Sequence, residues 1–220
     1  KNNSDIDVCG SWLQLMGKYN GILELETKSE KIKINLLTNQ NLAHPAVMIR
    51  KSTLVKYDLN YNPTFTIGND YDLWVRMFDD CSFANLPEPL LKFRMHDNQY
   101  SKMLWKQNNA ETNRILKNLL KKIGIQPDDS DLNIHKTVIM GWGTGSLFII
   151  EVLKYLRRLR SSNHHEKIFE PIAFNEFLKS NWRRFMFSQN HKFLYWFSVL
   201  LFFRPVQLFK VVKNRMSLIL

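Results

Sequence analysis

The stretch Gly68-Asn69-Asp70-Tyr71-Asp72-Leu73-Trp74-Val75-Arg76 decides how this chain is read. It has the chemistry of a helix start. Asn69 suits an N-cap, and Asp70 and Asp72 fall in the first turn, where the helix dipole favours negative charge. Leu73, Trp74, Met77 and Phe78 then recur at helical spacing and are predicted to face a core. Taken alone, two acids at a helix N-terminus do no more than cap it. Their neighbours add a second reading. Upstream lies His44-Pro45-Ala46-Val47-Met48-Ile49-Arg50; downstream come Leu86-Pro87-Glu88-Pro89-Leu90-Leu91 and then Phe93-Arg94-Met95-His96.

Working outward, Val8–Met16 is β-branched and aromatic between polar flanks and is predicted to be a strand. Lys18–Glu30 reads as a hairpin tip or loop, and Ile32–Asn39 as a short helix. Ala46–Arg50 reads as a short buried strand, and Lys51–Lys56 as one or two helical turns. Phe83–Leu86 and Leu90–Met95 read as two short strands, because Pro87-Glu88-Pro89 is not expected to continue a ladder. After Tyr100 the pattern turns helical. Ile115, Leu116, Leu119, Leu120 and Ile123 form one apolar stripe, and Ile149, Val152, Leu153, Leu156 and Leu159 another, each opposed by Lys and Arg. The Gly/Pro/Asp stretch Gly124–Asp131 is the best internal boundary between them. Gly141-Trp142-Gly143-Thr144-Gly145 lacks GxGxxG spacing and a following acidic residue, so it reads as a helix–helix turn and not a dinucleotide loop.

The chain has 220 residues with 45% apolar content, enough for a packed core. Its formal charge of +11 points to anionic partners: phosphorylated small molecules, nucleic acid, or the cytoplasmic face of a membrane. The basic residues follow helix faces without a recognisable nucleic-acid motif, so nucleic acid is not expected as a partner. Cys9 and Cys81 have no metal-ligand spacing and read as buried thiols of a reducing compartment. Phe193–Phe203 is apolar on all sides but shorter than the roughly 20 residues of a bilayer span. The stretch after Pro205 is amphipathic, and no acid occurs from Phe177 to Leu220. That combination fits an in-plane membrane helix, or a helix packed on the core with a solvated basic face.

The His44-Pro45, Asn69-Asp70, Asp72-x-Trp74-x-Arg76, Leu86–Leu91 and Arg94–His96 phrases together resemble the inverting family 2 glycosyltransferases of bacterial surface-polysaccharide synthesis. The likeness is close over residues 5–101 and looser beyond. It implies an α/β fold class, the acceptor-side half of a GT-A nucleotide-sugar transferase fold over residues 1–101, with an α-helical extension over 102–220. By the same resemblance Asp70 is the catalytic base. The family has Glu where this chain has Asn69. Asn69, Asp72, Trp74 and His44 would line the acceptor, although Trp74 reads equally as core and His44 as a positional residue. Arg94 would pair with the diphosphate and His96 would complete a Mn²⁺ or Mg²⁺ site, or else be structural. The family's Asp-x-Asp, with the main metal ligands, belongs to a nucleotide-binding half not found here, since Asp5-Ile6-Asp7 sits where the family has a later element. The expectation is therefore a piece of a longer enzyme, peripheral to the inner face of the cytoplasmic membrane. Its expected partners are a nucleotide-sugar donor and a saccharide or lipid-linked saccharide acceptor. A non-catalytic, membrane-associated assembly module is the alternative.

Overall fold

A computed structural model describes residues 3–38, 41–97, 105–142 and 149–188. Two compact units emerge, Lys1–Pro127 and Asp128–Leu220. The division falls within the Gly124–Asp131 stretch and not after residue 101, so the first long helix of the basic extension belongs with the sheet. The apolar tail, Phe193–Phe203 and beyond, lies outside the described residues. No helix among the described residues is long and apolar enough to cross a membrane.

The first unit is mixed α/β, built around β1 (Val8–Gly17). β2 (Gly21–Leu23) and β3 (Met48–Ile49) pair with β1 antiparallel, and β4 (Phe83–Met95) pairs with it parallel from Val8↔Phe83 to Gly17↔Met95. β1 ends where Gly17 adopts φ +97 and passes so close to Met95 that a Cβ would lie 2.6 Å from its carbonyl oxygen. The helices are α1 (Ser29–Asn35), α2 (Lys51–Lys56), α3 (Asn69–Arg76) and α4 (Trp105–Lys122). As the spacing predicts, Leu73, Trp74, Met77 and Phe78 are buried, and so is the α4 stripe Ile115, Leu116, Leu119, Leu120 and Ile123.

Three local expectations change. The Pro87-Glu88-Pro89 stretch does not divide β4. The register slips there, from Ser11↔Leu86 to Trp12↔Pro89 and then Leu13↔Leu91, so the extra residues bulge out. Among the described residues β4 pairs only with β1, and an edge strand tolerates the missing proline N–H groups. Ala46–Arg50 is not a buried strand: His44–Ala46 is a 3₁₀ turn with Pro45 near its start, and Met48 in β3 is 78% exposed. Finally, Gly68 and not Asn69 is the N-cap of α3.

Asp7 ties this unit together. Its carboxylate accepts from the Ser82 backbone N–H (2.8 Å) and from the Thr53 hydroxyl, joining β1 to α2 and to the start of β4. Burial works against ionisation of Asp7, but the bonds from Thr53 and Ser82, with Arg50 nearby, outweigh it and hold the carboxyl below its usual value.

In the second unit, α5 (Asp129–Ile134) starts with a capping box in which Asp128 and Asp131 exchange side-chain and backbone bonds. It runs into a π-helical turn, His135–Met140, that Gly141 ends at φ +74, with the Arg184 guanidinium donating to the Val138 and Ile139 carbonyls. α6 (Ile149–Glu166) and α7 (Pro171–Ser188) supply Val152, Tyr155, Leu156, Leu159, Phe174, Leu178 and Trp182 to a second core. Within it, fully buried His135 meets the Tyr155 hydroxyl at 2.7 Å.

Candidate functional site

The start of α3 is built so that one carboxylate stays available. The Asn69 side-chain oxygen accepts from the Asp70 N–H (2.8 Å), and Asp70 Oδ1 accepts from the Tyr71 N–H (2.7 Å). These bonds fix the Asp70 side chain at the helix N-terminus by one oxygen, and the residue is only partly buried. Asp72 is placed differently. Its side chain is 6% exposed and accepts from Arg76 Nε at 2.8 Å, while Arg76 Nη2 donates to the Asn60 carbonyl at 2.6 Å. Asp72 therefore anchors the loop after α2 through Arg76.

Trp74, at 3% exposure, is core. Its ring lies 6.4 Å from the His44 imidazole, centroid to centroid. His44 Nε2 meets the Tyr61 hydroxyl at 2.9 Å, with the rings nearly perpendicular and 5.6 Å apart. Burial raises the Tyr61 phenol above its usual pKa, and the Asp70 charge adds to the effect. Asp70, Tyr61, His44 and Trp74 thus form one neighbourhood. The sequence reading names three of these and misses Tyr61, which sits in a stretch with neither helical nor strand periodicity.

The neighbourhood is held from behind by Glu111 of α4. This carboxylate, in a residue 5% exposed, accepts from the backbone N–H groups of Thr66, Ile67 and Gly68, each at 2.9 Å. The loop that delivers Asp70 is thereby clamped to α4. A Cβ on Gly68 would fall 2.8 Å from Ile115 Cδ1, so a larger residue there would push the end of that buried side chain aside. Arg114 reinforces the clamp through the Thr64 hydroxyl (3.3 Å) and the Phe65 ring (4.4 Å to the centroid). Glu111 was also missed, although it left a signal. It precedes Ile115 and Leu119 at helical spacing, so an acid stands on an apolar face, where an acid is buried only if paired or hydrogen-bonded.

Arg94 and His96 lie at the other end of the set. Arg94 pairs with Met16 at the end of β4, and Arg94 and His96 are both exposed. No described contact joins either of them to Asp70. Among the described residues no group of three or more His, Cys, Asp or Glu could hold a metal ion, so the described residues around His96 do not make a cation site by themselves. A cavity of about 850 Å³ opens on the sheet beside Asp7, Cys9, Met48 and Arg50, away from the Asp70 neighbourhood. Asp7 and Ser82 are already bonded to each other there, which spends the second acid of Asp5-Ile6-Asp7 on structure.

No family model and no solved structure matches the chain. It is similar to a protein of Haemophilus influenzae described as an uncharacterized glycosyltransferase, at 27% identity over 140 residues. The match covers 57% of this chain and 43% of that protein, so the chain spans less than half of its relative's length.

Proposed function

We propose that this chain is the acceptor-side part of an inverting glycosyltransferase of the family 2, GT-A kind, and that Asp70 is its base. The observation that carries the reading is the Asp70 carboxylate. It is partly open and pinned by one oxygen to the first turn of α3, on a loop that a buried glutamate holds rigid. A base for sugar transfer needs that combination, because proton removal is efficient only from a fixed position within hydrogen-bond reach of the acceptor hydroxyl. The name of the Haemophilus relative supports the same reaction class.

In the step proposed, the free Asp70 oxygen takes the acceptor O–H proton as the acceptor oxygen attacks the anomeric carbon of the donor. A C–O bond forms, the bond to the nucleoside diphosphate breaks, and the electron pair leaves with the diphosphate. Arg94 is proposed to attend that diphosphate as a cation. His96 is proposed as one candidate ligand for a divalent cation, the others lying outside the described residues. The nucleotide-sugar donor, the saccharide or lipid-linked acceptor and a membrane-surface location belong to the same proposal.

The test is Asp70→Asn in the protein as its cell makes it, read as nucleoside diphosphate release from a panel of nucleotide sugars with acceptor. The expected result is a loss of about 10²–10⁴-fold in kcat with an unchanged melting profile. Unaltered turnover would remove Asp70 as the base, and no turnover by the parent protein with any donor would return the chain to the assembly-module reading.

A further inference from the structure

Resting on the reading of Asp70 as the base, we infer that Tyr61 is the platform on which the acceptor sugar lies, setting preference for a pyranose that presents a C–H face. Three observations carry this. The first is exposure. Tyr61 leaves 45% of its surface open, whereas Trp74, the aromatic residue the sequence singles out for stacking, is 3% exposed, with the His44 ring against it. A sugar ring cannot lie on Trp74.

The second is position. His44 touches both Tyr61 (2.9 Å) and Trp74, which stands one helical turn after Asp70 on α3, and Arg76 of α3 holds the Asn60 carbonyl, so the open ring lies beside the helix start that carries the carboxylate. A hydroxyl of a sugar resting on that ring is within the region where its proton would be taken.

The third is rigidity. Tyr61 is held at its hydroxyl by His44 (2.9 Å). On one side Arg76 grips the Asn60 carbonyl at 2.6 Å, and on the other the Asn62 side chain accepts from the Thr64 N–H at 3.0 Å and the Thr64 hydroxyl at 2.9 Å. The Phe65 N–H reaches the Asn62 carbonyl at 3.1 Å, and the Glu111 clamp begins at Thr66. An exposed ring fixed at both ends of its loop loses little further freedom when a ligand settles on it. The chemistry matches: the face of an aromatic ring is electron-rich and its body apolar, which suits the weakly positive C–H face of a pyranose.

The experiment is saturation-transfer NMR on the full chain with the methyl glycosides of glucose, galactose and N-acetylglucosamine, for the parent, Tyr61→Phe, Tyr61→Ala and Asp70→Asn proteins. The expected result is transfer to the C–H protons of at least one glycoside in the parent protein. Tyr61→Phe should bind within about twofold of it and Tyr61→Ala about tenfold more weakly. Tyr61→Phe keeps the ring and loses the bond to His44, so equal loss in both variants would mean that Tyr61 acts only through His44, and the platform fails. It fails equally if Tyr61→Ala binds as the parent does, or if no glycoside shows transfer. The base reading is judged separately. Asp70→Asn should keep glycoside binding while losing turnover; normal turnover in that variant with binding lost in Tyr61→Ala would remove the base and leave the platform standing.

Discussion

Asp7 sits at the entrance to β1, where its carboxylate accepts from Ser82 and Thr53 and its own carbonyl accepts from the Arg50 N–H at 2.8 Å. Its folded-state pKa lies below the ordinary value of 3.8, so the ionised form is the one the fold stabilises. That contribution is present above the unfolded value and is lost as pH falls through the folded one. Asp7→Asn should therefore lower the melting temperature near neutral pH, the lost bonds being worth on the order of 1–2 kcal/mol. Thermal unfolding from pH 7 down to pH 2.5 checks this: the gap between the two proteins should close below the ordinary carboxyl value. Residue chemistry was the part of the sequence hardest to read. Asp7 and Asp72 look as available as Asp70 on the page. Only the fold shows that the first two carboxylates are committed to Ser82 and Arg76, because both partnerships depend on which backbone atoms pass nearby.

At the scale of elements, the bond set between Glu111 and residues 66–68 makes α4 a support of the loop that α3 grows from. Glu111→Ala would strand three backbone donors, at a cost on the order of 3 kcal/mol, or roughly 10 °C in melting temperature. Glu111→Gln keeps the shape and one acceptor oxygen but turns an amide donor toward the loop, so it should fall between the two. A differential scanning melt of the three proteins gives the order; an unchanged Glu111→Ala would show that the clamp holds nothing. The elements themselves were legible. β1, the α3 face and the α4 stripe follow from side-chain periodicity, which is local. The β4 bulge and the Gly68 cap were not, because pairing register and cap position are settled by a partner distant in the chain. In the same way, Tyr61 and Glu111 become site residues through contacts with residues 17 and 43–45 positions away.

For the whole molecule, the decisive fact is where the first unit stops. A chain ended at Pro127 keeps α4 and the Glu111 bonds; one ended at Ser101 loses both, together with the buried Ile115, Leu116, Leu119 and Leu120. The longer piece should unfold cooperatively and the shorter one should not, as circular dichroism in a urea titration would show; equal behaviour would mean that α4 is dispensable. The charge is also unevenly shared. Asp128–Leu220 carries 14 Lys and Arg against 7 Asp and Glu, more than half of the +11 surplus. The bulge at Pro87-Glu88-Pro89 has a consequence at this scale too. Apolar Leu86 and Leu90 lie exposed on either side of it, on the outer edge of the sheet. A straight, greasy rim of that kind invites an incoming strand from another copy and, copy after copy, a fibre. Two prolines in three residues remove donors from that rim and bend it, so the chain guards itself against polymerising through β4.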